Sequence, residues 1–284
     1  MQDNSADFSR LLATFATLID IPAGQPIPPG EAWKNDAQVL LIKIYRHLES
    51  IRMLFQGVTT TVHDKTHPPY VDHSSIAVLA RAAFESYMLF HFIFCAPTEV
   101  ARTLRYRVWK YAGLKSRQEL HGPVTRSAVW DRVLERDRRT LLTLEQEIRA
   151  DHLFQQYSTE RQEKILRQGD VKLGEKWMTL AEASGMPRKY AHDMYNHFCN
   201  YAHAGHISIL QIRDASRAGD HQRLATGAIS FCALLMSQVI ANYARLFPDV
   251  AQAIEHDGEA AAMVERWQAL LDTVSNWYAP ERMP

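Results

Sequence analysis

Apolar residues recur at spacings of three and four along nearly every segment of this chain, and no segment sustains the alternation of a half-buried strand. The pattern therefore predicts an all-α fold. A first helix is expected over about 6–20, where Phe8, Leu11, Leu12, Phe15 and Leu18 share one face; Pro22 and Gly24 stop it, ahead of a loop carrying Pro26, Pro28 and Pro29. A second is predicted over 31–58. A third, almost wholly apolar, starts at Asp72 or Ser74 and runs to Cys95, before Pro97. Further helices are expected over 98–113, 125–151, 159–168 and 175–184. Gly185-Met186-Pro187 then reads as a stop and a new start, because glycine closes one helix and proline fits the first turn of the next. The helices 187–204, 222–246 and 258–277 complete the set. Residues 59–73, with two prolines and three histidines, read as a polar loop.

These elements predict one α-helical domain over 1–284, a multi-helix bundle of about eight to ten helices centred on 74–95, 187–204 and 222–246. Composition narrows the class. With 284 residues, 46% of them hydrophobic and 23% charged, the chain holds enough apolar material for a sizeable core, which excludes disordered, collagen-like and disulfide-scaffold proteins. Lys and Arg (32) balance Asp and Glu (32), so no overall field selects a polyanion or a basic partner. Charge is nevertheless uneven. Residues 101–149 hold twelve Lys or Arg against six acids, and 249–284 hold seven acids against two arginines. A polyanion could use the basic stretch, but Asp131-Arg132, Glu135-Arg136 and Asp137-Arg138-Arg139 interleave signs as a solvated helix face does.

Cys95, Cys199 and Cys232 are odd in number, far apart and set in apolar stretches, the pattern of reduced thiols in an intracellular, cytoplasmic protein. Residues 1–10 carry Asp3 and Asp7 and lack the basic start and apolar run of a secretory signal. The weakly polar run 225–241 is short and contains Thr226, Ser230, Ser237 and Gln238, so it is expected to be a central buried helix, with no membrane partner.

Three places gather chemistry. On the third helix Arg81 and Glu85 are four apart and share a face with Ser74 and Met88, in otherwise apolar surroundings. A guanidinium and a carboxylate there need each other and further polar partners, either as a structural ion pair fixing helix register or as a charged fork for a phosphate or carboxylate. On the helix 187–204, His192, Asn196, Cys199, Asn200 and His203 fall on one stripe with Tyr195 beside it. His203 is expected in the last turn, where free carbonyls favour its protonated form, and His206 follows Gly205. His203 and His206 lack a carboxylate and a third ligand at metal-typical spacing, so no metal and no cofactor is assigned. The third place is His63-Asp64-x2-His67 with His47, Asp72 and His73 around it; the His-Asp step is that of helical metal-dependent phosphohydrolases, but the threonines and prolines here make a poor helix.

The stretch Leu79-Ala80-Arg81-Ala82-Ala83-Phe84-Glu85, then Ala181-Glu182-Ala183-Ser184-Gly185-Met186, then Tyr195-x3-Cys199-x3-His203, resembles a bacterial all-helical family described as a domain of unknown function. The family pattern pairs an Arg-x3-Glu helix with a Tyr-x3-Ser-x3-His helix, and the resemblance covers about 75–210. It implies that Arg81, Glu85, Tyr195 and His203 form one cluster, with Cys199 standing where serine is expected; it implies no activity.

Two functions follow as expectations. In the first, the chain is a ligand-binding or interaction protein, a homo-oligomer through an apolar helix face being one form of it. In the second it is a phosphodiesterase or ribonuclease-like hydrolase acting on an anionic small molecule or nucleic acid. Arg81 would be the anion clamp and His203 the acid or base, with Glu85 and Asn200 assisting and Tyr195, Asn196 and His206 contacting the ligand. Helical ribonucleases that work without metal place four to six residues between an Arg and a His; only three separate Arg188 from His192, one too few.

Overall fold

The structure is a computed structural model that describes residues 4–66, 69–120, 127–215 and 217–278. Among these it is all-α, with 13 helices and one two-stranded hairpin. In chain order the helices are α1 (Ser5–Asp20), α2 (Trp33–Phe55), α3 (His73–Phe94), α4 (Glu99–Leu120), α5 (Ala128–Ala150), α6 (His152–Gln155), α7 (Thr159–Gln168), α8 (Trp177–Ala183), α9 (Arg188–Ala202), α10 (His206–Asp214), α11 (Ala218–Leu246), α12 (Pro248–His256) and α13 (Gly258–Trp277). The hairpin pairs β1 (Thr61–Val62) with β2 (Lys65–Thr66). The chain divides into two compact units, one of Met1–Phe90 with Trp177–Pro284, the other of His91–Lys176.

The helix count exceeds the expected eight to ten because of three short elements. α6 is a single turn. α10 leaves Ile207, Ile209 and Ile212 exposed and buries Ser208, so its apolar residues mark no inner face. α12 follows directly on α11, with Pro248 at its first position, where proline costs no hydrogen bond. α4 also runs on through Gly113, a cost of about 1 kcal/mol that helix packing absorbs.

In the first unit α11 is the axis. α1, α2, α12 and α13 pack around it, and Phe231 on its inner side meets α3 and α9. The Phe231 ring lies edge-on to Phe84 at 5.0 Å and to Phe198 at 5.2 Å, and all three are fully buried. Burying each contributes about 1.5–3 kcal/mol, and each edge-on pair roughly 0.5–1.5 more. A buried polar relay crosses the same helices: the Tyr87 hydroxyl donates to the Ser184 carbonyl at 2.7 Å and accepts from Asn242 Nδ2 at 2.9 Å. Ser184 sits where α8 ends, and Gly185 makes that turn with φ of +87°, the left-handed conformation glycine adopts freely. These contacts hold α3 and α9 beside each other on α11, which positions the candidate site.

The second unit is built from the end of α3 and from α4 to α7. Its interleaved charges pair along and between helices, Glu135 with Arg139, Glu145 with Arg149, Arg107 with Glu147, as a solvated face requires. Asp137, almost fully buried, is held by both Nε and Nη2 of Arg117 at 2.7 and 2.6 Å.

Among the described residues two helices, α3 and α11, are long and apolar enough to cross a membrane by length and composition, yet 61% and 67% of their most apolar windows are buried within the fold. Residues 225–241 thus sit in a central, mostly buried helix.

Candidate functional site

α3 places Arg81 and Glu85 one turn apart, and α9 presents Tyr195, Cys199 and, as its C-cap, His203 at successive steps of four residues. The two sets meet. Arg81 Nε donates to Glu85 Oε1 at 2.9 Å, its Nη2 to the Tyr195 hydroxyl at 3.3 Å, and its Nη1 lies 2.8 Å from His203 Nε2. The Tyr195 hydroxyl donates in turn to the same Glu85 oxygen at 2.8 Å, and the guanidinium carbon lies 5.1 Å from the Tyr195 ring centre. Every nitrogen of the Arg81 fork therefore has a partner, and two of the three partners are also bonded to each other. That mutual support fixes the orientation of the fork.

The cluster sits at an edge of the unit, with the Arg81 and Glu85 side chains 19% and 28% exposed and His203 exposed to solvent. This differs from the apolar enclosure that the α3 sequence suggests, because α9 ends at this level and leaves one side open. Burial, with the hydrogen bond to Glu85, pushes the Tyr195 hydroxyl up to about 12, so it stays a donor at neutral pH. Burial opposes the charge on Arg81, but its bonds to Tyr195 and Glu85 outweigh that and hold it above its ordinary value. The Cys199 thiol is also raised by burial, which keeps it protonated and a poor nucleophile.

A guanidinium has no acceptor, so the contact at Nη1 exists only while His203 Nε2 keeps its lone pair. The protonated imidazole expected at a helix end is thus not the form that pairs here. His203 caps α9 with its N–H on the Cys199 carbonyl at 3.0 Å. The next residue, Ala204, takes a left-handed φ of +52°, the role a terminal glycine usually fills. Gly205 serves another purpose: a Cβ there would stand 3.1 Å from Asn200 Cα and closer still to the Asn200 amide oxygen.

The remaining sequence-selected residues do not join the network. Asn200 turns its amide back along α9 to the Asn196 carbonyl at 2.9 Å, and Asn196 pairs with the exposed His192. His206 is exposed at the first position of α10. Asn196 and Asn200 are thus engaged within α9 itself, and His206 lies beyond the stripe, on α10.

His63 and Asp64 form the two-residue turn of the hairpin, with φ of +47° and +61°, the mirror-type turn that suits tightly paired strands. They lie on no helix, and His67 is outside the described residues. His73, grouped with that segment by sequence, pairs instead with His221, Nδ1 to Nδ1 at 3.0 Å. No motif signalled that partner, which lies 148 residues away. Among the described residues no group of three or more His, Cys, Asp or Glu side chains is placed to hold a metal ion.

No protein-family model matches the chain, and no curated protein or solved structure matches it either.

Proposed function

We propose that this chain is a ligand-binding protein in which Arg81, held by Glu85 and Tyr195, receives an oxyanion at the edge that His203 occupies. The supporting observation is the division of labour on the guanidinium. Nε and Nη2 are engaged by part-buried groups that support one another, whereas Nη1 is satisfied by an exposed imidazole at a helix end, the most easily displaced of the three partners. A phosphate or carboxylate oxygen arriving at Nη1 replaces a neutral acceptor by a charged one, roughly doubling the strength of that hydrogen bond.

The same contact favours a second reading, a hydrolase acting on a phosphodiester, since a general base must present a lone pair, as His203 Nε2 does here. In that reading Arg81 is the anion clamp and Glu85 orients it.

Calorimetric titration with inorganic phosphate, phenyl phosphate and a short RNA separates the cases. The binding reading expects saturable heat that Arg81→Ala weakens about 10- to 100-fold, the loss of one charge-assisted contact of about 1.5–3 kcal/mol. The hydrolytic reading adds turnover of bis(p-nitrophenyl) phosphate that is lost in His203→Ala. Absence of saturable heat with all three probes rejects the oxyanion site.

A further inference from the structure

Independently of the oxyanion reading, a cluster of imidazoles joins three helices of the first unit. His73 is the first residue of α3, His221 lies in the first turn of α11, and His197 and Tyr201 stand on α9. The Nδ1 atoms of His73 and His221 are 3.0 Å apart, with ring centres at 5.0 Å. The Tyr201 ring packs edge-on against His73 at 5.7 Å and against His197 at 5.3 Å. His73 is 4% exposed, and its Nε2 is buried without a hydrogen-bond partner among the described residues.

Two ring nitrogens at this distance share one proton. Were His73 the acceptor, its own proton would sit on Nε2 as a buried N–H with nothing to bond, so His73 donates through Nδ1 and His221 accepts. A second proton has two places to go: on His221 Nδ1 it leaves two donors face to face, and on His73 Nε2 it makes a buried N–H with nothing to bond.

The groups facing His73 are few. Burial, then His221, then His197 on α9, hold its basicity down; Asp72 and the Val71 carbonyl pull the other way. The Asp72 carboxylate is already engaged by the Ser75 N–H at 3.0 Å. On α11 the Asp220 carboxylate beside His221 accepts the Arg217 N–H and pairs with Arg223. On α9 the Tyr201 hydroxyl donates to Gln211.

We propose that the His73–His221 pair is an acid-sensitive latch: neutral, it pins the N-terminal ends of α3 and α11 together, and uptake of one proton from solvent parts them. The latch bears on the candidate site through both of its helices, since Arg81 stands about two turns along α3 from His73, and Tyr201 precedes His203 by two residues.

Hydrogen exchange on the full chain at pH 7.5, 6.5 and 5.5, corrected for intrinsic rates, tests this. The opening constant read from amides 76–80 and 222–226 should rise about tenfold per pH unit below about 6.5, the signature of one proton taken up on opening. In His73→Gln/His221→Gln, where amides pair without titrating, it should stay flat. A flat response in the wild type, or an equal rise in the variant, overturns the latch. Should the variant fail to fold, imidazole NMR on the wild type decides: one shared proton uptake coinciding with the exchange rise supports it, and independent titration of both rings near 6.5 overturns it.

Discussion

Replacing Tyr87 by phenylalanine tests how the central helices are held. The change removes one oxygen and leaves the ring, which is fully buried, in place. It leaves the Ser184 carbonyl without its 2.7 Å donor and an Asn242 N–H without its 2.9 Å acceptor, while the other Asn242 N–H keeps the Gln238 carbonyl. Ser184 and Asn242 are 2% and 3% exposed, so water cannot replace the lost partner. Each stranded group costs about 1–3 kcal/mol, and allowing for partial relaxation the sum is about 2–4 kcal/mol. At roughly 2–4 °C per kcal/mol for a chain of this size, the melting temperature should fall by about 4–16 °C. Thermal unfolding followed by circular dichroism measures it, with urea unfolding to obtain the free energy. A loss below about 0.5 kcal/mol would mean that the relay carries no net stability.

The site residues should separate by burial. His203→Ala gives up one exposed contact and should cost less than about 1 kcal/mol, whereas Arg81→Ala strands Glu85 and Tyr195 and should cost about 1.5–3 kcal/mol in the same melts; equal losses would contradict the geometry. Gly205→Ala forces a Cβ against Asn200 and should cost about 1–3 kcal/mol in urea unfolding, with a neutral outcome contradicting the close approach. Burial holds His47, His73 and His197 below the ordinary imidazole value. The unfolded chain therefore binds more protons below about pH 6.5, and the urea midpoint should fall as pH drops through that value and stay level above about 7.5.

Much of the fold was legible because burial and period coincide. In α1 the five apolar residues that share a face by sequence are all buried, and α7 and α13 span the ranges expected from the apolar spacing. α10 was illegible for the opposite reason, since its isoleucines lie on the surface. Within the site, Arg81 and Glu85 were readable as a pair because two charges in an apolar helix need partners. That Tyr195 and His203 supply them was expected on stripe geometry and resemblance, and the contacts at 3.3 and 2.8 Å agree with it. Asn200 and Asn196 were read from the same stripe and His206 from its place just past Gly205, but an ideal 100° step does not tell which side of α9 meets α3. The His73–His221 contact had no local signal, as it depends only on two helix N-termini meeting in space.

The central claim is that Arg81 is a fixed fork whose Nη1 edge is closed by a displaceable imidazole. It is tested most directly by nitrogen-detected NMR of the Arg81 side chain and the His203 ring during titration with inorganic phosphate at pH 7. Saturable shifts are expected at Arg81 Nη1 and His203 Nε2 together, with little change at Arg81 Nε and loss of the His203 response in Arg81→Lys. No shift at millimolar phosphate, or an undiminished His203 shift in Arg81→Lys, would contradict it.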